Sequence, residues 1–172
     1  MIVWVLLILV LAVIGGFAVA LGVMSRRDFK KQNQVVPGVE SAAPAAWAGS
    51  HTPEARLHRR LRDAVAAAHT AADVSDAPLD AAIARIDAEA VALDDRLVAA
   101  AALASAHRND AVGRLEPLVA SLEETVATLV ERVSTTGGPA ELTEKTLDDT
   151  DIALEALARA REEIEQIDRD NR

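Results

Sequence analysis

The sequence predicts an all-α protein: a single N-terminal transmembrane helix followed by an antiparallel helical bundle or an elongated coiled-coil-like rod. Three observations predict it. Ile2 to Met24 carries no charge over 23 residues. Beyond residue 50, apolar residues recur at steps of three and four, the period of helices, and not at steps of two. That same region contains no aromatic residue, since Trp4, Phe17, Phe29 and Trp47 are the only ones in the chain. Its core must therefore be Leu, Ile, Val and Ala, which suits close helix packing and suits sheets poorly.

The uncharged run spans about 34 Å as a helix, enough for a hydrocarbon core of about 30 Å. Nothing basic precedes it, unlike a cleaved signal, and Arg26, Arg27, Lys30 and Lys31 follow it. The positive-inside bias then places the N-terminus outside and the C-terminal domain in the cytoplasm. The expected organisation is a transmembrane anchor over 1–24, a basic juxtamembrane segment and flexible linker over 25–51, and a cytoplasmic helical domain over 52–172. The bilayer is the expected partner of residues 2–24. A stripe of small residues, Ala12, Gly16 and Ala20, suits close approach of a second such helix. The linker reading for Gln32 to Ser50 rests on Pro37, Gly38, Pro44 and Gly49 and on the lack of apolar period. Trp47 is its one large apolar residue, expected to fold back on the helices or to dip into the bilayer surface.

Thr52-Pro53-Glu54 signals the first helix of the domain: a cap residue, a proline at the first helical position, and an acid at the positive end of the dipole. Leu57, Leu61, Val65, Ala68 and Ala72 carry its apolar stripe. The most regular stretch follows, with Leu79, Ile83, Ile86, Ala90, Leu93, Leu97, Ala100 and Ala104 at coiled-coil spacing. The phase slips and resumes as Leu115, Leu118, Leu122, Val126, Leu129 and Val133. Pro117 would clash with the carbonyl of Gly113, so one helix from about Ala77 to Ser134, kinked at Gly113–Pro117, is expected in preference to two. Ser134 to Pro139 (STTGGP) is a turn, and a last helix reaches about Asp168 with Leu147, Leu154, Leu157, Ala160, Ile164 and Ile167 on one side. Three long helices result. The outer two either line up end to end along the middle one, as a rod, or the middle one folds back at Gly113–Pro117 to give a four-helix bundle.

Charge narrows the function. The net charge is −9, and from Pro53 onward 14 Lys and Arg face 25 Asp and Glu. Such a domain repels a phosphate backbone, so no nucleic-acid partner is expected. With no cysteine there is neither a disulfide nor a thiolate metal site. His51, His58, His69 and His107 lack the spacing that brings two imidazoles to one ion, and His107 is expected near the seam, partly buried. The acidic pairs Asp94-Asp95, Glu123-Glu124, Asp148-Asp149 and Glu162-Glu163 read as solvated faces. No nucleotide-binding or nucleophile motif occurs, so no catalytic, cofactor or metal residue is assigned and no enzyme is expected. One patch looks functional. Arg56, Arg59, Arg60 and Arg62 surround His58, Leu57 and Leu61, and meet either anionic lipid or acids of the same domain, with internal pairing to Asp76, Asp80 or Asp87 preferred.

In its layout, a span followed by long helices, the chain is similar to the LemA-type bacterial membrane proteins. That family's Asp-Leu-Ile-Pro-Asn-Leu-Val segment after the span is absent, so the resemblance implies an architecture and carries no residues across. The expected function is a membrane-tethered helical interaction protein, a scaffold or adaptor with a protein partner or self-association through helical faces. The alternative is a membrane-surface device whose Arg-rich helix contacts anionic lipid, with an unrecognised enzyme or small-ligand binder third.

Overall fold

Pro53 opens the first helix where a missing N–H is harmless, and Arg56 N–H donates to the carbonyl of Thr52 (3.0 Å) to start the ladder. In the computed structural model, which describes residues 33–72, 77–135 and 144–170, this helix α1 runs Pro53–Ala72. It buries Leu57, Leu61, Val65 and Ala68 of the expected stripe and leaves Ala72 half-buried. Helices α2 (Ala77–Ala101), α3 (Ser105–Thr135) and α4 (Glu144–Asp170) follow. The described residues contain four α-helices, one 3₁₀ turn at Ala45–Gly49, and no strand.

Cross-helix polar contacts give the directions. His69 meets Asp87 and His58 meets Asp94, so α1 and α2 run antiparallel. Glu54 faces Arg108 and Arg60 faces Glu123, so α1 and α3 run parallel. Arg85 pairs with Asp151 and Arg161 with Glu89, so α2 and α4 also run parallel. The result is an up-down-up-down bundle. Helices α2 and α3 pack against each other and against both neighbours, and α1 and α4 flank this central pair. Leu79, Ile83, Ile86, Ala90, Leu93, Leu97 and Ala100 of α2 are all buried. So are Leu115, Leu118, Leu122, Val126, Leu129 and Val133 of α3. The outer helix α4 is the most weakly seated: Leu154 and Leu157 are buried, whereas Ile167 and Ile152 are exposed.

Three expectations are corrected. The middle stretch is not one helix kinked at Gly113–Pro117. It is two helices, and the break falls at Ala102 to Ala104. Between Ala100 and Ala111 no residue is a buried apolar one, so a continuous helix would leave two Leu-rich seams with nothing to face. Reversal lets each seam cover the other. The end of α2 tightens, with Ala102 N–H shared between the carbonyls of Val98 and Ala99 at 3.2 Å. Arg108 then donates Nη2 to the freed Leu103 carbonyl (3.0 Å), a contact made possible by the start of α3. Pro117 sits inside α3 without ending it, because Pro117 and Gly113 both face solvent and water can take the carbonyl that the proline leaves unbonded. The rod and the three-helix reading are replaced by a four-helix bundle.

The single-pass membrane architecture is the second correction. Among the described residues no helix is long and apolar enough to cross a membrane. The stretch 2–24, its small-residue stripe and the basic cluster at 26–31 lie outside the described residues. The membrane localisation and the orientation built on them are not carried forward.

The third concerns the linker. The chain divides into two compact units, Met1–Asn33 and Gln34–Arg172, and the segment from Gln34 to Ser50 belongs to the second. Val35, Val36, Ala43 and Trp47 are buried in the bundle core. Pro37 and Gly38 form the middle of a tight turn closed by Val39 N–H to the Val36 carbonyl (3.1 Å), with Gly38 at φ 84°. Proline followed by a positive-φ glycine is the signature of a type II turn. The same residues that suggested looseness therefore direct a strap onto the helices.

Two substitutions test this fold by chemical denaturation followed by circular dichroism. Leu93 is fully buried, and Leu93→Asp is expected to cost on the order of 3–5 kcal/mol by placing an unpaired charge in the seam. Pro117→Ala is expected to stabilise by about 1–3 kcal/mol, since it restores the bond to Gly113 on a face with nothing to disturb. A loss of stability in Pro117→Ala would show that α3 needs the proline.

Candidate functional site

The strap is held by a buried polar pin. Asp94 lies one residue beyond the α2 seam, four after Ala90 and three before Leu97, so its side chain turns inward while Asp95 stays exposed. An ionised carboxylate only accepts hydrogen bonds. Its Oδ2 takes the hydroxyl of Ser41 at 2.6 Å, and its Oδ1 lies 2.7 Å from Nδ1 of His58 on α1. Nδ1 therefore carries the proton of this bond, and Nε2 is buried with no hydrogen-bond partner among the described residues. Ser41 Oγ accepts in turn from Ala43 N–H (3.0 Å). His58 is 1% exposed and Asp94 3%. Trp47 closes the site from above, its ring edge-on to the His58 imidazole with centroids 5.5 Å apart. Arg59 clamps the end of the strap, donating Nη1 to the carbonyls of Trp47 (3.1 Å) and Ser50 (2.8 Å).

Ser, Asp and His occur here in an order that does not activate the hydroxyl. A nucleophilic serine needs the imidazole nitrogen at its Oγ, with the acid behind the imidazole. In this pin the acid stands between the other two and fixes both. Its work is to join strap, α1 and α2 at one buried point.

The Arg-rich patch is divided among partners. Arg60 makes a two-pronged bond with Glu123 of α3, Nε to Oε1 at 2.8 Å and Nη2 to Oε2 at 2.6 Å, with Glu116 at 3.7 Å. The Glu123 bond raises the Arg60 pKa above its ordinary value, against the opposing effect of burial. Arg62 donates to the neighbouring Asp63 (3.0 Å), and Arg56 is exposed. Pairing within the bundle is thus what is seen for Arg60, but toward α3 and not toward Asp80 or Asp87. Asp87 instead accepts from His69 Nε2 at 2.9 Å, and Asp76 lies outside the described residues. The reason is topological: α1 is wedged between α2 and α3, and the Arg60 side of it faces α3.

Other sequence readings shift as well. Asp94 is buried and Glu123 is half-buried, whereas Asp95, Glu124, Asp148, Asp149, Glu162 and Glu163 are exposed. His107 is exposed in the first turn of α3, not partly buried, because the seam resumes only after it. His51 is exposed. Among the described residues no three His, Asp or Glu side chains are grouped to hold a metal ion.

Among the described residues a groove of about 260 Å³ lies between α3 and α4, and two larger ones open on the bundle. One of about 600 Å³ lies among α2, α3 and α4, floored by Ala99, Leu103 and Ile164 and crossed by the Arg96–Glu165 ion pair. The other, about 560 Å³, lies between α1 and α3 and is lined chiefly by Ala and Val. No family model, no curated protein and no solved structure matches the chain.

The pin predicts a graded response. Asp94→Ala strands the His58 N–H and the Ser41 hydroxyl and is expected to cost about 2–4 kcal/mol, whereas Ser41→Ala is expected to cost about 1 kcal/mol. In a Trp4→Phe background Trp47 is the sole tryptophan, and Asp94→Ala should shift its emission to longer wavelength below the global unfolding midpoint. Unchanged emission would mean that the strap does not depend on Asp94.

Proposed function

We propose that the Gln34–Arg172 unit is an interaction module, a scaffold or adaptor that binds other proteins through its helical faces. The observation that supports this reading most directly is the strap. An irregular segment of the chain lies across α2 and α1, anchored by Val35, Val36 and Trp47 and registered by one hydroxyl on a buried carboxylate. Apolar anchors for affinity with a placed polar contact for register are the elements by which grooves recognise peptides. A bundle that accepts such a segment from its own chain has the surface chemistry to accept one from another protein.

The alternative in which the Arg-rich helix contacts anionic lipid draws less support. Arg59, Arg60 and Arg62 each already donate to an acceptor within the unit, and breaking those bonds would offset the gain from lipid.

Crosslinked affinity capture of the full-length protein from its native cells is expected to enrich a protein that, once purified, binds the chain directly with a dissociation constant of about 1 µM or tighter. Purified protein that carries a bound small molecule and captures no protein would overturn the reading.

A further inference from the structure

We propose that the groove between α1 and α3 is a docking site for a cationic amphipathic helix of a protein partner. The inference rests on the interaction reading and deepens it by giving the partner's chemistry. The walls are two parallel helices. On α1 the lining residues Arg60, Asp63, Ala64 and Ala67 fall at i, i+3, i+4 and i+7, and on α3 Glu123, Val126, Ala127 and Val130 repeat the same spacing. Each wall thus turns one continuous stripe to the groove over about two turns, roughly 11 Å, the length that the i, i+3, i+4, i+7 anchors of a docked helix occupy. Ala64, Ala67 and Ala127 keep the floor low, which leaves room for larger apolar side chains from outside. The volume of about 560 Å³ is within the usual range of binding pockets, about 300–1,000 Å³.

Charge selects the occupant. The rim carries Asp63, Glu123 and Glu131 against the single cation Arg60, and that cation is taken up by Glu123 in a two-pronged bond. Asp63 is shared with Arg62 at 3.0 Å. Glu131 is exposed and makes no ion pair among the described residues. Apolar floor and acidic rim together complement a helix with Leu or Ile on one side and Lys or Arg flanking it. A second copy of this chain is a poorer fit, because the 34–172 unit has 14 Lys and Arg against 26 Asp and Glu, a net charge of −12, and two such surfaces repel. The groove among α2, α3 and α4 lacks this preference, since Arg96 and Arg161 there balance Glu165 and Asp168.

The test titrates full-length protein against a fluorescent amphipathic peptide of about 18 Leu and Lys residues, long enough to form a helix on its own, and against its Leu and Glu counterpart. The Lys peptide is expected to bind and the Glu peptide not to bind. Ala127→Trp, which fills the groove at an exposed position, should weaken binding at least about tenfold, and Glu131→Lys several-fold. Asp148→Lys with Asp149→Lys on α4 makes a larger charge change elsewhere and should alter binding less than about twofold. Thermal melts check that each variant folds. Equal losses in the Glu131 and α4 variants would reduce the effect to general charge attraction and overturn the proposal. So would a dimer in sedimentation that Ala127→Trp abolishes, since the occupant would then be a second copy. If a captured protein partner binds Ala127→Trp as tightly as the unsubstituted chain, the groove assignment fails while the interaction reading stands.

Discussion

Helices α2 and α3 face each other along two unbroken Leu-rich seams, and the rest of the bundle is arranged around that contact. Neither helix can bury its seam alone, and no aromatic side chain beyond residue 47 is present to bridge a wider gap. Close packing is the only way to cover these residues, and Ala at positions such as 82, 90 and 100 permits it. The chain must therefore reverse between the seams, which places its break at Ala102 to Ala104. Once α2 and α3 are paired, the grooves on either side of them have fixed directions, and α1 and α4 fill those grooves from opposite sides.

The two flanking helices are held differently. Helix α1 is buried along most of its inner face and is tied to α2 through His58 and His69 and to α3 through Arg60. Helix α4 contributes few buried side chains and relies on a series of ion pairs with α2 and α3, namely Arg85 to Asp151, Arg161 to Glu89, Arg96 to Glu165 and Arg114 to Asp168. Glu89 is buried, the other three pairs are more exposed and add little stability each, and their order along the helices fixes register and direction. The α1 side of the molecule is thus secured by packing and the α4 side by charge. The strap sits on the better-packed side, where the fold can supply a buried carboxylate and a matching imidazole to receive it.

This division bears on binding. A buried polar group that is fully paired specifies one arrangement because any other leaves it unsatisfied. Asp94 acts in this way on the strap, setting which of its residues meets the bundle, while Trp47 and the two valines supply the apolar contact. The α1–α3 groove has no such polar floor. Its rim carries the carboxylates of Asp63, Glu123 and Glu131, so the helix proposed to dock there would be selected by charge and by helical spacing rather than by a buried polar contact.

Periodicity in the sequence determined that the described elements beyond residue 50 are helices, most of the apolar residues that α1, α2 and α3 bury (Ala72 and Ala104 being less covered than expected), and where α1 begins, because these follow from local spacing and capping that each helix carries by itself. The position of the reversal was not legible. Gly113 and Pro117 are the strongest local breakers in the stretch, but their effect depends on whether the carbonyl released by Pro117 meets water or protein, and that is decided by which face of α3 is covered. Asp94 could be placed at the edge of the seam from its distance to Ala90 and Leu97, but the residues that justify its burial, Ser41 and His58, lie 53 and 36 positions away. Nothing local connects them. The segment around Pro37 and Gly38 suggested looseness because turn residues mark both mobile linkers and fixed turns, and only the docking of Val35, Val36 and Trp47 distinguishes the two. Arg60 likewise could have met any of the acids near it. Its pairing with Glu123 follows from the parallel placement of α1 beside α3, a relation that exists only once the two seams have closed on one another.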